Sequence, residues 1–169
     1  MNFIAALTRR LDIVSRAVSN FLAVLAGVVL VGMMLLACTN MVLRATPYGS
    51  VKGTVELVGF CGAVLTAFAL AYSQRMKGHT FVGILSRRFP RPVRKGMEAF
   101  QQLVSCGFFI WCGVETSAWA SSLVRTGELS ETLHMVYHPF VFAAALGCLS
   151  MAFVLFVDFL KTMVSEDIA

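Results

Sequence analysis

The stretch AVSNFLAVLAGVVLVGMMLLACTNMVL, residues 17–43, contains no charged side chain. A helix needs about 20 apolar residues to cross a hydrocarbon core of roughly 30 Å, so this stretch predicts a membrane-spanning helix. The whole chain has the same character: 58% of its residues are hydrophobic, 14% are charged and its mean hydropathy is +0.79. Soluble domains contain about 25% charged residues. The chain is therefore predicted to be an integral membrane protein.

Three further stretches are also long and apolar enough to span a bilayer. They cover residues 56–74, 97–123 and 138–160, and the connections between them are too short to hold a soluble domain. The predicted fold class is therefore all-α, with four transmembrane helices in a single domain, residues 1–169. Small residues four positions apart indicate close helix packing. Three such pairs are Gly59 and Ala63, Gly113 and Ser117, and Ala143 and Gly147.

Lysine and arginine are divided unequally between the two sides of a four-span protein. Eleven of the fourteen lie on the side that holds both termini, and three (Arg44, Lys52 and Arg125) lie on the other. Cytoplasmic segments retain cations, so both termini are predicted to be cytoplasmic. The segment between the second and third spans is the most basic, and we expect its cations to set the topology and to contact anionic lipid headgroups rather than nucleic acid. They include Arg87, Arg88, Arg91, Arg94 and Lys95.

Two segments outside the four spans have amphipathic spacing. Apolar residues recur every three or four positions over residues 3–14, and again over residues 81–89. This spacing is typical of helices that lie in the membrane interface, so the chain is predicted to have one such helix at its N-terminus and another between spans two and three. Pro90 and Pro92 would end the second of these.

The residues that carry catalysis or bind metals are poorly placed in this sequence. His79 falls in the basic segment, while His134 and His138 lie near the opposite boundary, so no two histidines face each other at mid-membrane as haem ligands would. The sequence contains no nucleophile–base set and no glycine-rich phosphate loop. We therefore expect no cofactor, no metal and no enzymatic activity.

Polar residues that enter the membrane are the remaining candidates for function, since an ionisable side chain there needs a partner or water. Arg44 ends the first span and Glu56 begins the second, so the two are predicted either to form an ion pair or to bind a partner and headgroups separately. The third span has a polar stripe, and three interpretations remain open for it: packing within the chain, contact with another subunit, or an ion or proton site. The stripe consists of Gln101, Ser105, Cys112, Glu115, Trp119 and Ser122.

Several local patterns occur in the order found in one transporter family. NMVLR (40–44) ends the first span, Glu56 and Leu57 open the second, and GHTFVGIL (78–85) follows it with His79. RRFP (87–90) and a polar loop that leads to Pro139 come later. Over nearly its whole length the chain resembles the small membrane subunit, of the DctQ type, of tripartite ATP-independent periplasmic (TRAP) transporters.

The resemblance implies a non-catalytic, multi-pass subunit of the bacterial inner membrane. Its partners would be membrane lipids, a large multi-span subunit and a periplasmic substrate-binding protein that delivers an organic acid. The large subunit would carry sodium and substrate by an elevator motion, with this chain as part of the fixed scaffold. His79 and Pro139 would then be structural or interface residues.

Two other functional classes remain open at this stage. The chain could be a self-contained, proton-coupled four-helix exporter, in which case Glu115 is the acid that would carry protons. It could also be the membrane anchor of a redox enzyme, although the placement of the histidines disfavours bound haem.

Overall fold

The computed structural model describes residues 2–46, 49, 52–76 and 91–164, without the side chains of residues 2–7, 91, 92, 94, 95 and 164. These ranges contain four helices: α1 (Asn2–Arg44), α2 (Thr54–Arg75), α3 (Arg91–Thr126) and α4 (His138–Val164). Each is long and apolar enough to cross a membrane. The predicted all-α fold with four spans is confirmed.

The first helix is much longer than the span predicted for it. A separate N-terminal helix was expected, but α1 continues without a break from Asn2 to Arg44. The sequence explains this continuity, because no proline or glycine occurs before Gly27 to interrupt the backbone hydrogen bonds. The second predicted interfacial helix, over residues 81–89, lies outside the described residues, as do His79, Arg87 and Arg88.

Helix α4 holds the bundle together. It packs along α3 and α2 and also touches α1, while α1 and α2 pack against each other. One buried cluster joins α1 to α2 through Leu22, Ala26, Val64 and Phe68. A second joins α3 to α4 through Cys106, Met151, Ala152 and Leu155, and Leu70 of α2 reaches it. Helices α2 and α3 thus lie on either side of α4 without packing extensively against each other.

Glycine allows the closest approach between helices. A Cβ atom placed on Gly147 of α4 would lie 2.6 Å from the Cβ of Ala67 and 2.7 Å from its carbonyl oxygen, so α2 and α4 meet backbone to backbone. A Cβ on Gly113 would meet the side chain of Leu149 at 2.7 Å. The small-residue prediction therefore holds for Gly113 and Gly147, but Gly59 faces open space.

Helices α1 and α3 bury the smallest share of their apolar surface. Only 11% of the most apolar window of α1 is buried and only 17% of that of α3, against 44% for α4. Exposed side chains on α1 include Val31, Met34, Leu35 and Met41. These surfaces need lipid or another protein around them.

Candidate functional site

The two ends of the bundle are built differently. The loop end holds the connections from α1 to α2 and from α3 to α4, and the terminal end holds the start of α1 and the end of α4. At the loop end, the Glu56 carboxylate accepts hydrogen bonds from the Ser130 hydroxyl and from the backbone N–H groups of Thr132 (3.1 Å) and Leu133 (3.3 Å). We call this contact the Glu56 clasp, and it ties the first turn of α2 to the connection between α3 and α4.

A glycine allows the clasp to close. Gly53, which precedes α2, has a φ of 77°, a left-handed conformation that side chains disfavour. A Cβ on Gly53 would also overlap the side chain of Leu133. Gly53 therefore satisfies two requirements at once, because it turns the backbone into α2 and leaves room for the opposite loop.

Aromatic side chains form a layer beneath the clasp. The Phe60 ring stacks on Tyr137, with centroids 5.4 Å apart and planes 4° from parallel, and on Phe140 at 5.7 Å. The Tyr137 hydroxyl donates a hydrogen bond of 3.2 Å to Glu128. Desolvation raises the pKa of Tyr137, and the hydrogen bond and negative charge of Glu128 raise it further, so the hydroxyl remains a donor at neutral pH.

The ion pair predicted between Arg44 and Glu56 is wrong. Within the described residues Glu56 is bound by the 130–133 segment, and Arg44 is exposed and makes no ion pair with it. The physical reason is the direction of the carboxylate, which points from the first turn of α2 toward three hydrogen-bond donors of the α3–α4 connection. Arg44 and Glu56 are therefore not partners, although they flank the same connection between α1 and α2.

Charged residues join three helices at the terminal end. Asp12 of α1 forms ion pairs with Lys161 of α4 and, at 2.9 Å, with Arg16. Lys161 also lies 3.5 Å from Asp158. Arg75, the last residue of α2, donates a hydrogen bond of 2.9 Å to the Arg16 carbonyl.

A cavity of about 890 Å³ opens beside this network. Its lining combines charged, polar and apolar side chains. The charged and amide lining residues are Asp12, Arg16, Gln74, Arg75, Glu98, Gln101, Gln102, Asp158 and Lys161, and the apolar ones include Phe109, Met151 and Leu155. The cavity lies where α2 and α3 separate on either side of α4.

The polar stripe predicted on α3 is divided between this cavity and an open surface. Gln101 and Ser105 line the cavity. Glu115 and Trp119 are exposed, and among the described residues the carboxylate of Glu115 accepts one long hydrogen bond, 3.4 Å, from Trp111 on the same helix. No other described helix covers this part of the stripe.

Comparison with known families gives the chain its context. The family described as "Tripartite ATP-independent periplasmic transporters, DctQ component" matches residues 33–164, which include all of α2, α3 and α4 and the end of α1. The chain belongs to the DctQ family. Searches of curated proteins and of solved structures give no match. As a DctQ protein, it is the small membrane component of a TRAP transporter and a multi-pass protein of the bacterial inner membrane.

Membership of the DctQ family also bears on the partners expected from the sequence. TRAP systems combine a DctQ component with a large membrane subunit and a substrate-binding protein.

Pro139 is the second residue of α4, where proline is favoured because its missing N–H would have had no helical partner. No cluster of His, Cys, Asp or Glu suited to a metal ion occurs within residues 2–46, 52–76 and 91–164.

The sequence did not single out several residues that the structure brings together. Gly53, Ser130 and Leu133 complete the clasp, and Asp12 and Lys161 join α1 to α4. A partial signal exists for the clasp, since an acid in the first turn of a helix is favoured by the helix dipole. The partners are more than 70 residues away in sequence, and nothing in the local pattern identifies them.

Proposed function

We propose that this DctQ chain is a non-catalytic scaffold for the large transport subunit, in a system that couples sodium entry to uptake of an organic acid delivered by a binding protein. The observation that carries the proposal is the exposed surface of α1 and α3. Both helices leave most of their apolar residues uncovered, and α3 adds an uncovered acid, Glu115. An acid is expensive in lipid, so this surface favours a protein partner.

The proposed scaffold role follows from where polar groups lie. Among the described residues, most charged groups gather at the two ends of the bundle, while Glu115 is exposed on an outer face and does not line the cavity at the terminal end. A carrier needs a binding site that is reached from both sides near mid-membrane. Holding a partner at a fixed depth and tilt needs a stiff bundle with an outward-facing contact surface.

The proposed orientation places both termini in the cytoplasm, because eleven of the fourteen cations lie on that side. Single cysteines at Lys52 and Arg125, in a background without native cysteines, should react with membrane-impermeant reagents added to intact cells. A cysteine at Arg91 should react only after the cells are opened. Labelling of position 91 from outside would contradict this orientation.

The proposed interface is tested by Glu115→Leu, with Ser121→Leu as control because it places leucine on an exposed position of α3 outside the stripe. Glu115→Leu should reduce co-purification of the large subunit or slow uptake several-fold, while substrate binding by the soluble protein stays unchanged. The control should have little effect on either measurement.

Reconstitution separates the scaffold from a self-contained exporter. Proteoliposomes that hold this chain alone should transport nothing, and sodium-dependent uptake should appear when the large subunit and the binding protein are added. Proton-driven transport by the chain alone, abolished by Glu115→Leu, would contradict the scaffold proposal.

A further inference from the structure

Helix α3 packs along α4 with one face and leaves the opposite face exposed. Its buried positions include a set that recurs every seven residues, at Ala99, Cys106, Gly113 and Ala120. The positions opposite them recur at alternating steps of four and three, the spacing with which one helix packs along another at a small crossing angle. We call these exposed positions the α3 seam, which consists of Val104, Phe108, Trp111, Glu115, Ala118 and Ser122.

Glu115 brings a charge well inside the membrane-spanning part of α3. It is the one charged residue in the sequence between Glu98 and Arg125. Arg125 is ten positions away, which is about 15 Å along the helix at 1.5 Å per residue, or half of a hydrocarbon core of roughly 30 Å. Lipid headgroups at the boundary are therefore out of reach of the Glu115 carboxylate.

The contact that the chain itself gives Glu115 does not balance its charge. Within the described residues the carboxylate accepts a hydrogen bond of 3.4 Å from the Trp111 indole, which is neutral. None of the ion pairs between described residues includes Glu115. An ionised side chain at this depth is stabilised by a group of opposite charge, and a protein neighbour can supply one.

Two tryptophans lie beside this acid. Trp111, Glu115 and Trp119 follow one another at intervals of four, so they are neighbours along one side of the helix. The two tryptophans are 66% and 55% exposed, which leaves most of each side chain open to a neighbour. Tryptophan that faces lipid is enriched at the headgroup level, yet Trp111 lies about 21 Å along the helix from Arg125. The depth of Trp111 thus favours contact with protein.

We propose that this face of α3 binds an arginine on a membrane-spanning helix of the large transport subunit. The guanidinium donates to the Glu115 carboxylate and stacks against the indoles of Trp111 and Trp119, and the helix that carries it packs along the α3 seam. Arginine suits the site better than lysine, because its planar group can donate two parallel hydrogen bonds and also stack on an aromatic face. This inference rests on the proposed scaffold function and names the chemistry of the partner.

The first test measures the affinity of the purified chain for the purified large subunit in detergent. Glu115→Gln removes the charge but keeps the shape and an acceptor for Trp111, so the affinity should fall about tenfold, the ratio that one charge-assisted hydrogen bond supplies. Glu131→Gln, the same change at an exposed acid outside the spans, is the matched control and should bind as wild type does. The melting temperature of the isolated Glu115→Gln chain should not change, because the contact it alters lies within α3.

The aromatic part of the site is tested at a single depth. Trp111→Ala should lower the affinity several-fold, because it removes a ring on which the guanidinium stacks. Ile110→Ala truncates an exposed apolar side chain at the same depth but outside the α3 seam, and it should have little effect. Equal losses for the two variants would contradict the stacking.

Charge exchange identifies the residue on the partner. Glu115→Arg should bind more weakly than Glu115→Gln, since it places two cations together. Each intramembrane arginine and lysine of the large subunit is then changed to glutamate in turn, and we expect binding by Glu115→Arg to return at one arginine. Recovery at a lysine, or at no position, would overturn the arginine site.

The outcomes separate this inference from the scaffold proposal. If the wild-type chain does not bind the large subunit, both are wrong. If the wild type binds and Glu115→Gln binds equally well, the arginine site is wrong while the scaffold stands. A loss with Glu115→Leu but not with Glu115→Gln would likewise keep the interface and exclude the ion pair.

Discussion

The loop end and the terminal end of this bundle are joined by different physical means. At the loop end one carboxylate accepts three hydrogen bonds from a loop that fits against a glycine, with stacked aromatic rings beneath it. At the terminal end partly exposed ion pairs surround an open cavity. Closely fitted contacts are sensitive to substitution but not to salt, whereas partly exposed ion pairs contribute little and are weakened by salt, so the loop end should be the stiffer of the two.

The largest effect is expected from Gly53→Ala. A side chain at its left-handed φ costs about 1–2 kcal/mol, and overlap with Leu133 adds a similar amount, so the free energy of unfolding in detergent should fall by about 3 kcal/mol. The matched control is Gly49→Ala, because Gly49 has nearly the same φ, 78°, with nothing near its Cβ position. It should lose only the backbone contribution.

The overlap itself can be isolated by adding Leu133→Ala to both glycine variants. The double variant with Gly53→Ala should recover part of its loss relative to the sum of the single variants, and the one with Gly49→Ala should be additive. Equal losses for Gly53→Ala and Gly49→Ala would show that the two loops do not meet as described.

An intermediate effect is expected from Glu56→Ala, which leaves the Ser130 hydroxyl and two backbone N–H groups without their acceptor. The decrease in melting temperature caused by Glu56→Ala should fall between those caused by Gly49→Ala and Gly53→Ala, and it should change little with salt. Glu131→Ala, an exposed acid in the same connection, serves as control. A Glu56 variant no less stable than the control would contradict the clasp.

The smallest effect is expected from the Asp12–Lys161 pair. Because the Lys161 side chain is 37% exposed, the coupling energy from Asp12→Asn, Lys161→Met and the double variant should be about 1 kcal/mol or less. The coupling should shrink further in high salt, as screening predicts. A large, salt-independent coupling would mean that the terminal end is as tightly fitted as the loop end.

The sequence predicts the four helices well and their contacts poorly. Long uncharged runs identify spans because each run alone meets the length that the bilayer requires, and Pro139 marks the start of α4 for an equally local reason. The partner of Glu56 is different, since Ser130 lies 74 residues away and is chosen by how α2 and α4 pack. The nearer Arg44 was therefore the wrong candidate.

The candidate site shows the same division. The stripe on α3 could be read from helical periodicity, but its division between a cavity and an open face depends on where α4 lies. Asp12, Arg75 and Lys161 gave no local signal, because each is an ordinary cation or acid near the end of a helix. Tertiary packing alone brings them to one cavity.

The length of α1 has a consequence for the surrounding bilayer. Its uncharged segment, residues 17–43, is about 40 Å long at 1.5 Å per residue, whereas the hydrocarbon core is about 30 Å thick. This positive hydrophobic mismatch is relieved when the helix tilts or the nearby membrane thickens. In a thicker bilayer α1 stands more upright, so membrane thickness adjusts the angle of the helix that the rest of the chain covers least.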